Sequence, residues 1–120
     1  MKTEKWSKTF SERLFRFSLR VIEITNRLPK TPAGFAIATQ LIKSGTSIGA
    51  NFIEAQDASS LKDFINKLSI SLRESKETHY WLDIIKFSKL YNQDLDEIIS
   101  ECSQIIGILS KSVKSSKLKL

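Results

Sequence analysis

Residues 10–28 read FSERLFRFSLRVIEITNRL. Phe10, Leu14, Phe17, Val21, Ile24 and Leu28 recur at alternating steps of four and three. That spacing holds an apolar seam on one side of an α-helix, so the stretch predicts an amphipathic helix with one buried face. Ser11 or Thr9 is placed to cap its start. Pro29 predicts its end, because a proline drives the preceding residue out of the α region.

Three further helical segments follow, separated by short breaks. The second opens at Thr31-Pro32, a capping oxygen followed by a residue suited to the first helical position. Its seam is Ala38, Leu41, Gly45, Ile48, Phe52 and Ala55. Gly45 and Gly49 lie one turn apart inside it and predict close approach of a neighbouring helix. The third opens with Ser60-Leu61-Lys62-Asp63, a capping box with Asp in place of Glu. Its inward line is Leu61, Phe64, Leu68, Leu72, Ser75, His79 and Leu82, and it is expected to run to about Leu90. The fourth starts near Asp94, with acids in its first turn and Lys111 and Lys114 near its end, as a helix dipole favours. Its seam is Leu95, Ile98, Cys102, Ile105 and Leu109. Short connections between long helices make neighbours antiparallel, so the expected fold is all-α, an up-down-up-down four-helix bundle. One domain covers residues 1–120, with ends expected to fray over about 1–8 and 115–120.

Composition agrees. The chain has 120 residues, 41% of them hydrophobic and 27% charged, which suits one soluble domain. Six Gly and Pro together are too few for a loop-rich β protein. One Cys and one His exclude a disulfide framework and a zinc site built on them, and no cofactor is called for. No apolar run approaches the ~18 residues of a membrane span and no signal-peptide pattern is present, so a cytoplasmic location is expected.

Two helices are apolar on more than one face. At ~100° per residue, Phe15, Leu19 and Ile22 fall well away from the first seam. On the third helix Tyr80, Ile84, Phe87 and Tyr91 form a second line. A helix apolar on two faces is buried on two faces, so these residues predict an interface between copies of the chain; the alternative is a wide core stripe with scattered exposed hydrophobics.

Charge is unevenly distributed. The net charge is +6, made of +5 in residues 1–30, +4 in residues 111–120 and −3 between them. Arg13, Arg16, Arg20 and Arg27 lie on the first helix, the last three in a narrow sector beside the core line. Arginine grips phosphate or carboxylate through two hydrogen bonds at once. One reading is therefore a nucleic-acid footprint of Arg13, Arg16, Arg20, Arg27, Lys30, Lys111, Lys114, Lys117 and Lys119, near Lys2, Lys5 and Lys8 at the bundle end. It would contact backbone without reading sequence. The alternative is a structural or scaffolding homo-oligomer whose arginines pair with Glu12, Glu23 and a neighbouring subunit. Ser47, Asn51 and Glu54 share a polar face of the second helix, while Ser75 and Thr78 lie near the core side of the third. Buried polar groups need partners, so a polar network across these two helices is expected. His79 and Cys102 read as core residues. There is no Gly-rich phosphate loop, HExxH or Gly-x-Ser-x-Gly, and no catalytic residue or metal ligand is assigned; the chain reads as a non-enzyme.

The stretch Gln40-Leu41-Ile42-Lys43-Ser44-Gly45-Thr46-Ser47-Ile48-Gly49-Ala50-Asn51-Phe52-Ile53-Glu54-Ala55, followed by Arg73-Glu74-Ser75-Lys76-Glu77-Thr78-His79-Tyr80-Trp81-Leu82, resembles the bacterial four helix bundle protein family. That family is also called the 23S rRNA intervening-sequence protein family. Phe52 stands where Ile is more usual, and Gln56-Asp57 replaces a commoner basic pair. The resemblance implies an antiparallel bundle assembled as a ring-like homopentamer, and it brings no catalytic residues. The chain is also similar to the accessory protein of diversity-generating retroelements, which implies RNA or DNA and a reverse transcriptase as partners.

Overall fold

The computed structural model describes residues 4–120. Four helices follow in order: α1 (Glu4–Asn26), α2 (Pro32–Gln56), α3 (Leu61–Ser88) and α4 (Asp96–Lys117). They form an antiparallel four-helix bundle of 46 × 22 × 19 Å. Its length is close to that of the 28-residue α3.

The starts of α2 and α3 form as their sequences dictate. The Thr31 hydroxyl accepts from Gly34 N at 3.1 Å, with Pro32 in the first turn. The Ser60 hydroxyl accepts from Asp63 N at 3.0 Å. The Asp63 carboxylate reaches back to Ser59 N, one residue beyond the reciprocal partner of a full capping box. α3 stops at Ser88, short of Leu90, on Lys89 with φ 61°, a left-handed residue that ends the helical ladder. α4 begins at Asp96, where the Asp94 carboxylate accepts from Asp96 N.

The start of α1 and the end of α4 both pack on the bundle. α1 starts at Glu4, and Trp6 stacks on Phe10 at 5.4 Å and meets Phe52 edge-on. Residues 1–3 of the expected frayed end lie outside the described residues. At the other end α4 continues to Lys117, with Val113 and Ser116 buried.

The seams of α1 and α4 are buried as read, and so is that of α2 apart from half-buried Ala38. A Cβ on Gly45 would lie 2.8 Å from Val21 Cγ1, so α1 and α2 do approach closely there. The α3 seam is rotated. Its buried residues are Ile65, Leu68, Ser71, Ser75, Thr78, Leu82 and Ile85, while Leu61 is exposed and Phe64, Leu72 and His79 are half-buried. α3 packs most extensively on α2, and small hydroxyl side chains on that side let the backbones draw together.

Of the expected polar residues, Glu54 and Thr78 make links between α2 and α3, while the others bond within their own helices. Ser47 and Asn51 bond along their own helix, to the carbonyls of Lys43 and Ser47. Glu54 reaches α3 through Lys67 at 3.1 Å. Ser75 bonds to Leu72 O on its own helix. The cross-helix links are Thr78 and Ser44, whose hydroxyls are 3.0 Å apart, and Ser71, which donates to Ile48 O at 2.8 Å. Cys102 Sγ adds a contact from α4 to Ser75 O. Burial pushes the Cys102 thiol up to about 12, as suits a small core residue.

Candidate nucleic-acid interface

The four arginines of α1 meet different fates. Arg13 makes a two-pronged pair with Glu101, both contacts at 2.7 Å, and also donates to Gln104. That hydrogen bonding raises Arg13 above, and holds Glu101 below, its ordinary value against an opposing desolvation cost. Arg20 lies 3.5 Å from Glu97, and Arg27 lies 3.6 Å from Glu23 on its own helix. Arg16 is exposed and adds only a weaker Coulombic pull on Glu101. Arg13 and Arg20 therefore close the bundle between α1 and α4 within one chain. The expected partners Glu12 and a neighbouring subunit are replaced for these two by acids of α4, whose register the α1 pattern alone does not reveal.

The lysines behave differently. The lysine ion pairs among the described residues are Lys67–Glu54 and Lys86–Asp96. Lys5, Lys8, Lys30, Lys111, Lys114, Lys117 and Lys119 are exposed and take no part in these pairs. A cavity of about 310 Å³ at one end of the bundle is lined by Trp6, Phe52, Gln56, Phe64, Ser112, Ser116 and Lys119, among others. The start of α1, the end of α2, the start of α3 and the end of α4 thus meet at one end. Lys5 and Lys8 share it with the α4 lysines, whereas Lys30 lies at the opposite end, on the α1–α2 connection. Lys2 lies outside the described residues. Glu4 and Asp57 also sit at the lysine-rich end and dilute its charge without cancelling it.

Of the residues read as an interface, Phe15, Leu19, Tyr80 and Phe87 are between 51% and 76% exposed, and Ile22 is 36% exposed. Ile84 is half-buried. Tyr91 is half-buried and packs against the core from the connection after α3, which has already ended at Ser88. His79 is half-buried between α3 and α4, with Nδ1 3.1 Å from Asp83 and Nε2 3.1 Å from Ser103. This Asp–His–Ser order spans α3 and α4. Ser103 lies inside α4, where the neighbouring N–H groups are committed to the helix. The arrangement ties the two helices together.

Fold and charge define a class: a small all-α bundle with a basic end and exposed apolar helix faces. The chain belongs to the 23S rRNA-intervening sequence protein family, whose model it matches over residues 8–111. It is also similar to a crystal structure from Bacteroides thetaiotaomicron VPI-5482, described as a protein with unknown function from the S23 ribosomal protein family. The two are 32% identical with a TM-score of 0.80, over 90% of this chain and 97% of that one. No curated protein matches the sequence. No helix among the described residues is long and apolar enough to cross a membrane.

Proposed function

We propose that this chain is a non-enzymatic homo-oligomeric adaptor that holds RNA or DNA by its backbone at the lysine-rich end of the bundle. The observation that carries the reading is the convergence of Lys5 and Lys8 with Lys111, Lys114, Lys117 and Lys119 at that end, outside the bundle's own ion pairs. Unpaired lysines keep their charge available to phosphate, whereas Arg13 and Arg20 have spent theirs on Glu101 and Glu97. The footprint read from the sequence is accordingly narrowed to the lysines and Arg16. Exposed Phe15, Leu19, Ile22, Tyr80 and Phe87 support self-association. Family membership favours a homopentamer, in which several weak lysine clusters would act together through effective concentration. Nothing in such an end reads base edges, so sequence discrimination is poor. A reverse transcriptase as protein partner and a cytoplasmic setting belong to the same proposal.

The test is binding of labelled RNA and DNA by the native chain and by a variant with Lys114, Lys117 and Lys119 changed to Gln. The reading predicts at least a tenfold loss of affinity in the triple variant. Arg13→Gln should lose stability without a comparable loss of binding. Equal affinity in the native chain and the triple variant overturns the footprint. The second reading, a scaffold without nucleic acid, is favoured by the arginine pairs, though these are pairs within one chain.

A further inference from the structure

At the lysine-rich end the apolar seams of α1 and α4 give way to serine. Continuing the α4 steps of three and four past Leu109 reaches Ser112 and Ser116, and stepping back from Phe10 on α1 reaches Ser7. Ser7 and Ser116 are 8% and 9% exposed, so both seams still face inward there. Leucine at such positions would fill the end of the core. Serine instead leaves the cavity of about 310 Å³, walled by Trp6, Phe52, Phe64 and Leu68 and edged by Ser112 and Ser116.

Several features point to an occupant. Trp6 stacks on Phe10, which meets Phe52 edge-on at 5.0 Å, so the aromatic walls are held in place by other rings. Beside the cavity runs a cleft that shares Gln56 with it and is lined by Ser7. Ser7 Oγ is buried and has no hydrogen-bond partner among the described residues. Buried polar atoms are nearly always paired, so this one takes its partner from outside the chain. Lys119 is the charged residue lining the cavity, and it also lines a second cleft beside the start of α3. The Ser7 cleft instead sets Glu4 and Asp57 against Lys8. A flat apolar body fits the walls, and polar edges fit Ser112, Ser116 and Gln56. An anionic end fits Lys119 and is turned away from Glu4 and Asp57. A nucleotide has all three parts.

We propose that the cavity receives one unstacked nucleotide of a bound single strand, its base between the aromatic walls and its phosphate on Lys119. The inference rests on the backbone binding proposed above and names the form of nucleic acid that fills this end. A duplex keeps its bases stacked and paired, so it offers phosphates to the lysines and nothing to the cavity. Base–aromatic stacking accepts every base, and serine hydroxyls turn to donate or accept, so occupancy adds affinity without reading sequence. The volume lies at the small end of the ~300–1,000 Å³ of ligand sites and suits one nucleotide, not a longer stretch. A free nucleotide has the same chemistry but leaves the other lysines of this end unused.

The experiment uses Trp6 as the reporter. Trp81, the other tryptophan, lies 20 residues along α3 from Leu61, about 30 Å from the lysine-rich end, so Trp81→Phe leaves Trp6 as the one indole. In that background four probes are titrated at low salt: a short single strand, a strand of the same length without bases, a duplex and a mononucleotide. Trp6 fluorescence reports the cavity, and a label on each polynucleotide reports total binding. The single strand should quench Trp6. The abasic strand carries the same charge and should bind about tenfold more weakly, the scale of one base–aromatic stack, without quenching. The duplex should bind without quenching, and the mononucleotide should quench only at far higher concentration. Ser112→Phe fills the cavity from its half-buried edge. It should bring the single strand down to the abasic affinity and leave the abasic affinity unchanged. Equal binding of the two strands without quenching overturns the cavity site while the lysine footprint stands. Undiminished quenching and affinity in Ser112→Phe overturn it as well. A mononucleotide that quenches as tightly as the strand makes this a site for free nucleotide and overturns the strand. Binding of no polynucleotide removes both this inference and the reading beneath it.

Discussion

At Gly45 α1 and α2 approach closely, and a single methyl decides between two opposing effects. Alanine there gains up to ~1 kcal/mol of helix propensity. It also puts a Cβ 2.8 Å from a Val21 methyl, and overpacking of that kind costs ~1–3 kcal/mol. Gly45→Ala should therefore lower stability in urea denaturation, and an unchanged or raised midpoint would refute the close approach. Gly107 is the control: a Cβ there meets nothing within 4 Å, so Gly107→Ala should stabilise by ~0.5–1 kcal/mol. The Arg13–Glu101 pair makes a second residue-scale prediction. Because Arg13 holds the Glu101 carboxyl below its ordinary 4.5, the pair's contribution is fully present above that pH. It fades as pH falls through the lower native value. Glu101→Gln should remove part of the acid sensitivity below about pH 4.5, seen as a flatter stability profile than that of the native chain. Profiles that run parallel would show that the pair does not tie stability to pH.

Elements were legible where apolar period alone decides burial. The uninterrupted seams of α1 and α4 are buried residue for residue, and so is most of the α2 seam, because nothing but packing competes at those positions. α3 was misread by a fraction of a turn. Its contacts to α2 include Ser71 and Thr78, which carry no hydropathy signal, so the apolar residues Leu61 and Phe64 drew the predicted line toward the wrong side. Ser44 was available to sequence reasoning, since it falls between Leu41 and Ile48 in the seam; the more polar Asn51 and Glu54 drew attention to the solvent face instead. The Arg13–Glu101 and Arg20–Glu97 pairs were out of reach, because pairing across 88 and 77 positions depends on the register of α1 against α4. For the α2–α3 contact, Thr78→Val keeps the shape and removes the hydroxyl facing Ser44. It should cost ~1 kcal/mol in thermal or chemical denaturation. No loss would mean that packing, not this hydroxyl pair, holds α2 and α3 in register.

Across the whole molecule the antiparallel order sorts the charge. It brings Lys5 and Lys8, near the start of α1, and the lysines of the +4 segment, at the end of α4, to one end of the bundle. Nucleic acid held this way is held by counterion release, which depends on salt more steeply than apolar or hydrogen-bonded recognition does. Four phosphate contacts correspond to a slope of about −3.6 in log affinity against log salt, or roughly a hundredfold loss between 50 and 200 mM. Titration of labelled single- and double-stranded RNA and DNA across that range is the most direct measurement. The lysine-rich end predicts binding at low salt, similar for unrelated sequences, that weakens with a slope of this order. Absent binding at low salt, or an affinity indifferent to salt, would contradict it and leave the bundle a scaffold.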